Sequence, residues 1–357
     1  MWQTIEPRAY ERSLQPLALF RVLLISFLLY LPGLEAMAQR YAHLLQTDQR
    51  STLSYALRRL SFLQLAQALL ERLQSQHRPQ PGQLLALDSM PLTLPSSRRH
   101  GCRRINATTV GGGVLWSFMI DAARGTCPIK ILRLIVGPWR DSQLVAELQL
   151  LAHGPIYLMD RGFWAIDLVN QWLQQQVHFI VRITSQDFKF TPLRTCGGPR
   201  TLAGGIRITF DGVARLGGPQ RRRKPLVRLV YAYLPNGDDL ILASDLLDWS
   251  AQELLAAYRK RWQIERFHRF LKETVGLAHL YSFQEAGLFL LLHLAVMLAV
   301  LLWLSLAAPK GLTVTQLLLA IAQMRRRAGV PQRWRPNTTR PPRQKKADTA
   351  TGTCLEV

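Results

Sequence analysis

Three carboxylates in this chain stand where a sheet or a helix would present them for chemistry. Asp88 closes the apolar run Leu84-Leu-Ala-Leu87, Asp160 closes Pro155-Ile-Tyr-Leu-Met159, and Glu265 lies within a helical pattern running from Ser250 to Glu273. A carboxylate at the end of a buried strand is costly to desolvate unless it is paired or binds a metal. Either aspartate alone also reads as a cap or turn residue. The surroundings of Glu265 set it apart. At about 100° per residue, Tyr258, Arg261, Glu265 and Lys272 fall within an arc of about 60°, while Ile264, Phe267, Phe270 and Leu271 take the opposite, buried face. A surface pair between Arg261 and Glu265 at i,i+4 explains the charges. It does not explain the tyrosine or the distant lysine.

The elements that must position these groups follow from periodicity. Residues 1–76 read as a helical module, with helices at Leu17–Leu31, Glu35–Leu45 and Ser54–Leu73, the last carrying Arg58, Arg59 and Arg72. Such a module holds DNA or simply caps the next domain. His77-Arg-Pro-Gln-Pro-Gly82 looks like a linker. From Gln83 the pattern turns to strands: Leu84–Asp88, Asn106–Val110, Val114–Ile120 and Ile129–Val136, an antiparallel meander with Gly111–Gly113 as a turn or bulge. A helix at Asp141–Ala152, a strand at Pro155–Asp160, a helix at Ile166–Gln176 and a strand at His178–Ile183 come next. Residues 184–247 form a β-rich insert, with strands at Ile206–Phe210, Leu226–Tyr233 and Asp239–Ala243 and a basic turn at Arg221–Lys224. The helix Ser250–Glu273, the apolar run Ala286–Ala308 and a helix at Thr313–Arg326 follow. Residues 309–357 are then a basic helix and a disordered tail that includes Arg333, Arg335, Arg340, Arg343, Lys345 and Lys346, with no Asp or Glu from Lys310 to Ala347.

Composition narrows the partners. The formal net charge is +22 over 357 residues, with 48% hydrophobic residues. The apolar content is ample for a core, and the charge attracts polyanions: nucleic acid first, then an anionic membrane or an acidic protein. Cys102, Cys127, Cys196 and Cys354 form no CxxC pair or zinc ladder, which fits a reducing cytosol. The first residues lack the pattern of a secretory signal. The run Ala286–Ala308 is long enough to span a bilayer, yet a helix apolar on all sides equally serves as the centre of a large soluble core. The reading adopted is a core helix and no membrane.

The segment Tyr258-Arg-Lys-Arg261-Trp-Gln-Ile-Glu265-Arg-Phe-His-Arg-Phe-Leu-Lys272 resembles the Y-x2-R-x3-E-x6-K signature of bacterial DDE transposases of the insertion-sequence-four type, without a gap. Asp160-Arg-Gly-Phe163 is similar to that family's second signature, Asp88-Ser89 to its first, and Asp141-Ser142 to a recurring Asp-Ser. The resemblance covers about residues 54–308. It implies an α/β fold: an RNase H-like mixed five-stranded sheet with flanking helices over residues 83–308, and a β-rich insert between the second aspartate and the glutamate. The implied activity is cleavage at transposon ends and strand transfer, with Asp88, Asp160 and Glu265 catalytic and holding two Mg²⁺ ions, or Mn²⁺ in their place. Tyr258, Arg261 and Lys272 would bind DNA phosphates. The implied partners are double-stranded DNA, as terminal inverted repeats and target, and a second copy of the chain in the synapse. The expected location is the bacterial cytoplasm, with the nucleoid.

Other classes fit less well. There is no HExxH, and Glu265-Arg-Phe-His268 supplies one E-x-x-H rather than a pair, so His268 is expected on the helix surface or beside a phosphate. The glycine runs lack the GK[ST] ending of a phosphate loop, and Ser89, Ser96 and Ser97 lack a nucleophile elbow. Some relatives hold a flipped base on an aromatic residue. Trp249, Tyr231 and Tyr233 are candidates for that role here, with ordinary strand packing as the alternative for each. A catalytically decayed transposase that still binds DNA or represses is the rival to the enzyme, and a membrane-anchored protein is the second.

Overall fold

The computed structural model describes residues 14–29, 31, 33–74, 79–93, 113–123, 128–135, 153–183, 189–218, 220, 222–275, 277, 281–282, 284–307 and 314–327. The expected strand Asn106–Val110, helix Asp141–Ala152 with its Asp141-Ser142, Gly111, Gly112, Arg221 and the tail from residue 328 lie outside the described residues.

The described strands form one sheet. They are β1 (Leu84–Thr93), β2 (Gly113–Asp121), β3 (Pro128–Ile135), β4 (Ile156–Met159), β5 (His178–Ile183), β6 (Phe190–Gly197), β7 (Arg200–Thr201), β8 (Arg207–Leu216), β9 (Leu226–Tyr233) and β10 (Asp239–Ser244). Their order is β3-β2-β1-β4-β5-β10-β9-β8-β6, with β7 on β8. β1, β2 and β3 make the expected antiparallel meander. β4 runs parallel to β1, and β5 runs parallel to β4. The crossover between β4 and β5 carries helix α6 (Ile166–Gln174), whose Leu168, Val169 and Trp172 are buried.

The five strands expected, β1 to β5, are extended within one sheet by the strands of the insert. β10 pairs antiparallel with β5, setting Ile241 against Ile183, so the insert continues the same sheet to ten strands. The physical reason lies in β5. Phe179, Ile180 and Val181 are all buried, on both faces, and such a strand left at an edge would expose unpaired backbone beside apolar side chains.

Alternation along the strands divides the interior in two. Ala86, Leu158, Ile180, Val230 and Leu242 face one core. Leu85, Leu87, Tyr157, Met159, Phe179 and Val181 face the other, closed by Phe163 and α6. The first core is the larger, because the N-terminal helices share it: α1 (Pro16–Leu29), α2 (Leu34–Arg40), α3 (Ala42–Leu45), α4 (Arg50–Ala56) and α5 (Leu60–Gln74). The single helix expected over Ser54–Leu73 is divided. Arg58 N bonds to Tyr55 O and Arg59 N to Ala56 O, a tightening that ends α4 and lets Leu57 and Phe62 both reach the core. A second tight point closes the linker, where Gly82 (φ +73) donates to the carbonyl of Gly154 (φ +101). A Cβ on Gly154 would also meet Pro81 at 3.3 Å.

The apolar run becomes α9 (Glu285–Ala307), which packs on α5 and α1. Leu290, Leu291, Leu292, Leu294, Ala295, Val296 and Val300 are inaccessible on every side of it, as a central core helix requires. Among the described residues no single helix is long and apolar enough to cross a membrane. The last described helix is α10 (Val314–Arg327).

Candidate active site

Strand register brings the two aspartates together. The parallel ladder of β1 and β4 ends at Leu87 opposite Met159, so Asp88 and Asp160 are the next residues on adjacent strands, separated by roughly the 4.8 Å strand spacing. Asp160 keeps an extended backbone, so alternation sends both carboxylates to the face of Ala86 and Leu158. The structure amends one detail. Asp88 does not end its strand, since β1 continues to Thr93, paired with β2; what ends beside Asp88 is β4. Asp160 Oδ1 accepts from Arg161 N at 2.6 Å and caps the short turn Arg161–Phe163, while Asp88 Oδ1 accepts from Ser89 N at 2.8 Å.

The helix over Ser250–Glu273 forms in pieces. Ser250 and Glu253 make a reciprocal capping box at its start. α7 (Ala251–Arg259) then gives way to a tight turn, with Arg261 N bonded to Tyr258 O and Ile264 N to Arg261 O, before α8 (Trp262–Arg269). A wide π turn follows over Phe270–Thr274 and contains Lys272. The turn at Lys260 and Arg261 departs from the continuous helix expected, and it carries Arg261 down toward the sheet. Phe118, the β2 residue opposite Asp88, docks α8: its ring meets Phe267 edge-on at 5.5 Å and His268 at 5.7 Å.

Arg261 is the hub of the resulting site. Its Nη2 donates to Glu265 Oε1 at 2.6 Å, and its Nη1 lies 3.8 Å from Asp88 Oδ2. The Arg261 side chain is only 13% exposed, so this is not the solvated surface pair that spacing alone allows. Burial works against its charge, but Tyr258, Asp160, Asp88 and the bond to Glu265 together hold its pKa above the ordinary arginine value. Its guanidinium also lies 5.7 Å from the centre of the Tyr258 ring. Tyr258 is buried, and burial pushes its hydroxyl up to about 12. Lys272 is held below its usual range by burial.

Three polar groups here are buried with no hydrogen-bond partner: the Tyr258 hydroxyl, Arg261 Nη1 and His268 Nε2. Orphaned buried polar atoms of this kind are costly, and their clustering beside the carboxylates marks this place out. Of the two positions expected for His268, the helix surface is ruled out, because the side chain is buried. Its Nδ1 sits 3.9 Å from Asp88 Oδ2, and burial, with Lys272 and Arg261 nearby, pulls its pKa down to about 3. The imidazole is therefore neutral.

Of the residues singled out by sequence, Asp88, Asp160, Tyr258, Arg261 and Glu265 converge, and Lys272 adjoins His268. Tyr231 and Tyr233 do not join them. They form a pair on β9, with ring centres 5.4 Å apart, on the sheet face opposite the carboxylates. Trp249 packs partly buried against the first core. Sequence reasoning passed over Arg182, which follows Val181, the β5 partner of Met159, and so stands beside Asp160; its Nη2 donates to Asp239 O at 2.9 Å. The signal would have been an arginine inside an apolar strand. It also passed over Trp262, 55% exposed next to Arg261.

Residues 79–302, more than half of the chain and the whole of this site, match the transposase DDE domain. The chain belongs to that family. A relative described as a probable transposase for insertion sequence element IS5377, from Geobacillus stearothermophilus, is 24% identical over 157 residues, 44% of this chain and 41% of the relative. The matched part is thus under half of that relative's length. The fold is similar to that of a piggyBac transposase in a synaptic complex with hairpin DNA, with a TM-score of 0.51 and 13% identity over 93% of this chain and 76% of the other. That likeness supports an RNase H-like mixed α/β fold.

DDE transposases generally use divalent metals, which asks whether this DDE domain has a place for them. Among the described residues no three His, Cys, Asp or Glu side chains converge tightly enough to form a ready metal cage. What Asp88 and Glu265 share is the Arg261 guanidinium, which pairs with both carboxylates. The donor set is oxygen from carboxylates, the set that suits Mg²⁺ or Mn²⁺. Asp88, Asp160 and Glu265 thus offer the donor type that a hard divalent cation takes.

Proposed function

We propose that this protein is an insertion-sequence transposase of the insertion-sequence-four type. On this reading it cuts double-stranded DNA at terminal inverted repeats and joins the freed ends to target DNA. The observation that carries it is the meeting of Asp88 and Glu265 on one buried arginine, beside Asp160 and three orphaned polar groups, within a transposase DDE domain.

Asp88, Asp160 and Glu265 are the groups that would hold the metal. Two Mg²⁺ ions, or Mn²⁺, would supply an activated water or DNA 3′-hydroxyl and neutralise the leaving oxygen. The chain's own contribution is placement. Arg261 grips a DNA phosphate with its guanidinium fork, Tyr258 donates its hydroxyl, which burial keeps protonated at neutral pH, and Lys272 adds a compact charge. Phe118 on β2, with Phe267 and His268, holds α8 against the sheet beside Asp88. Two copies of the chain acting at a pair of ends, in the bacterial cytoplasm with the nucleoid, complete the reading. The N-terminal helices, residues 1–76, are its candidate end-readers.

The test is incubation with Mg²⁺ and a plasmid carrying the DNA that flanks the gene. Double-strand breaks at inverted repeats are expected from the wild-type chain and not from Glu265→Ala, with Ca²⁺ allowing binding but little cutting. Binding without any cut would move the reading to a decayed transposase that acts as a DNA-binding protein.

A further inference from the structure

Arg261 does two incompatible things in the reading above, on which this inference rests. It is the group meant to grip DNA phosphate, yet its Nη2 is committed to Glu265 at 2.6 Å and its Nη1 leans toward Asp88 at 3.8 Å. A charge-assisted bond of that length, 13% exposed at the arginine, is not given up without compensation. A metal ion approaching Glu265 must displace it, and the displaced guanidinium needs another anion.

We propose that Arg261 is the resident counter-cation of Asp88 and Glu265 before DNA arrives, and that metal and DNA enter by an exchange in which the guanidinium passes from Glu265 to a DNA phosphate. The unpartnered Nη1 marks the direction of the exchange. That arm makes no hydrogen bond and, like the Tyr258 hydroxyl and His268 Nε2, is buried, so a phosphate oxygen reaches it only as the guanidinium swings away from Glu265 and Asp88. The consequence is reciprocal: DNA tightens metal binding, and metal tightens DNA binding by the same factor. Free of DNA, the protein holds metal weakly, which keeps the nuclease centre disarmed between encounters.

The test measures Mn²⁺ affinity of the full chain by electron paramagnetic resonance, with and without a duplex copied from the DNA that flanks the gene. DNA is expected to tighten Mn²⁺ binding to the wild-type chain by about 5–150-fold, the usual range of coupling between two sites. Arg261→Gln is expected to bind Mn²⁺ more tightly than wild type without DNA and to lose most of the gain with it. Arg261→Lys, which keeps charge without the fork, falls between. No effect of DNA on the wild-type affinity overturns the exchange without recourse to any variant. Unchanged or weaker Mn²⁺ binding in a folded Arg261→Gln, with binding still abolished by Asp88→Asn, overturns the exchange alone. Mn²⁺ binding indifferent to Asp88→Asn overturns the metal reading and the exchange together.

Discussion

His268 shows how a single side chain can differ from its sequence context. Its neighbours Arg266 and Arg269 are exposed, yet it is turned into the joint between α8 and β2 and is 9% exposed. An imidazole held near pKa 3 by burial, against 6.5 ordinarily, refuses a proton that the unfolded chain accepts. Between those values the unfolded state binds more protons, so stability falls as pH drops from about 6.5 toward 3. Arg261 and Lys272 add to this by repelling the imidazolium. Replacing His268 with Phe keeps a ring against Phe118 and removes the titration. Denaturant unfolding across this window is expected to show a shallower loss in the variant, the difference approaching about 1.4 kcal/mol per pH unit. Equal slopes would mean that His268 titrates normally.

At the scale of elements, the insert braces the catalytic helix. Arg228 on β9 is 2% exposed. Its Nη2 bonds to Asp211 on β8, its Nη1 to Gly212 O at 2.8 Å, and its Nε to Trp249 O at 3.0 Å. Trp249 directly precedes Ser250, the N-cap of α7, so the guanidinium ties the strand pair to the start of the helix that leads to Arg261 and Glu265. Asp211 takes Arg200 on its other oxygen at 2.6 Å, which satisfies the carboxylate from both sides. Removing one partner of a buried pair leaves an uncompensated charge. Arg228→Met is expected to cost about 3–5 kcal/mol in urea unfolding, and replacing Asp211 with Leu as well is expected to recover part of that loss. A loss below about 1 kcal/mol would show that the network is incidental.

For the whole molecule, the sheet is the unit of stability. Strands β6–β10 cover the edge of β5, and their residues Val227, Leu229, Ile241 and Ala243 complete the second core. Removing residues 190–244 leaves β5 with an open apolar edge, a template for association. The shortened chain is expected to aggregate on expression, measured as loss of soluble, monodisperse protein. A soluble deletion with a cooperative thermal transition would show instead that the first five strands and their helices fold alone. With a formal net charge of +22, the chain as a whole attracts a polyanion such as DNA, and the carboxylates are local anions that need cations beside them before a phosphate can approach.

Local pattern was enough to reveal much of this. The short runs His178–Ile183 and Leu226–Tyr233, rich in β-branched and aromatic residues and largely apolar, coincide with β5 and β9 to the residue, because such side chains fit an extended, buried strand. The spacing from Tyr258 to Lys272 singled out the candidate segment, since a solvated helix face explains its charges but not its tyrosine or its distant lysine, and the spacing resembles the family signature. Sequence could not show that the helix breaks at Lys260 and Arg261, because Arg261 turns inward for carboxylates that lie 173 and 4 residues away along the chain. Nor could it show that the insert extends the sheet, because the demand comes from the unfilled edge of β5 and not from the insert's own residues. Residue types and spacing singled out the candidate groups for the chemistry. Only the tertiary structure decided that Asp88 and Glu265 meet on one guanidinium, because a contact between a strand and a helix far apart in the chain exists only once the sheet between them has closed.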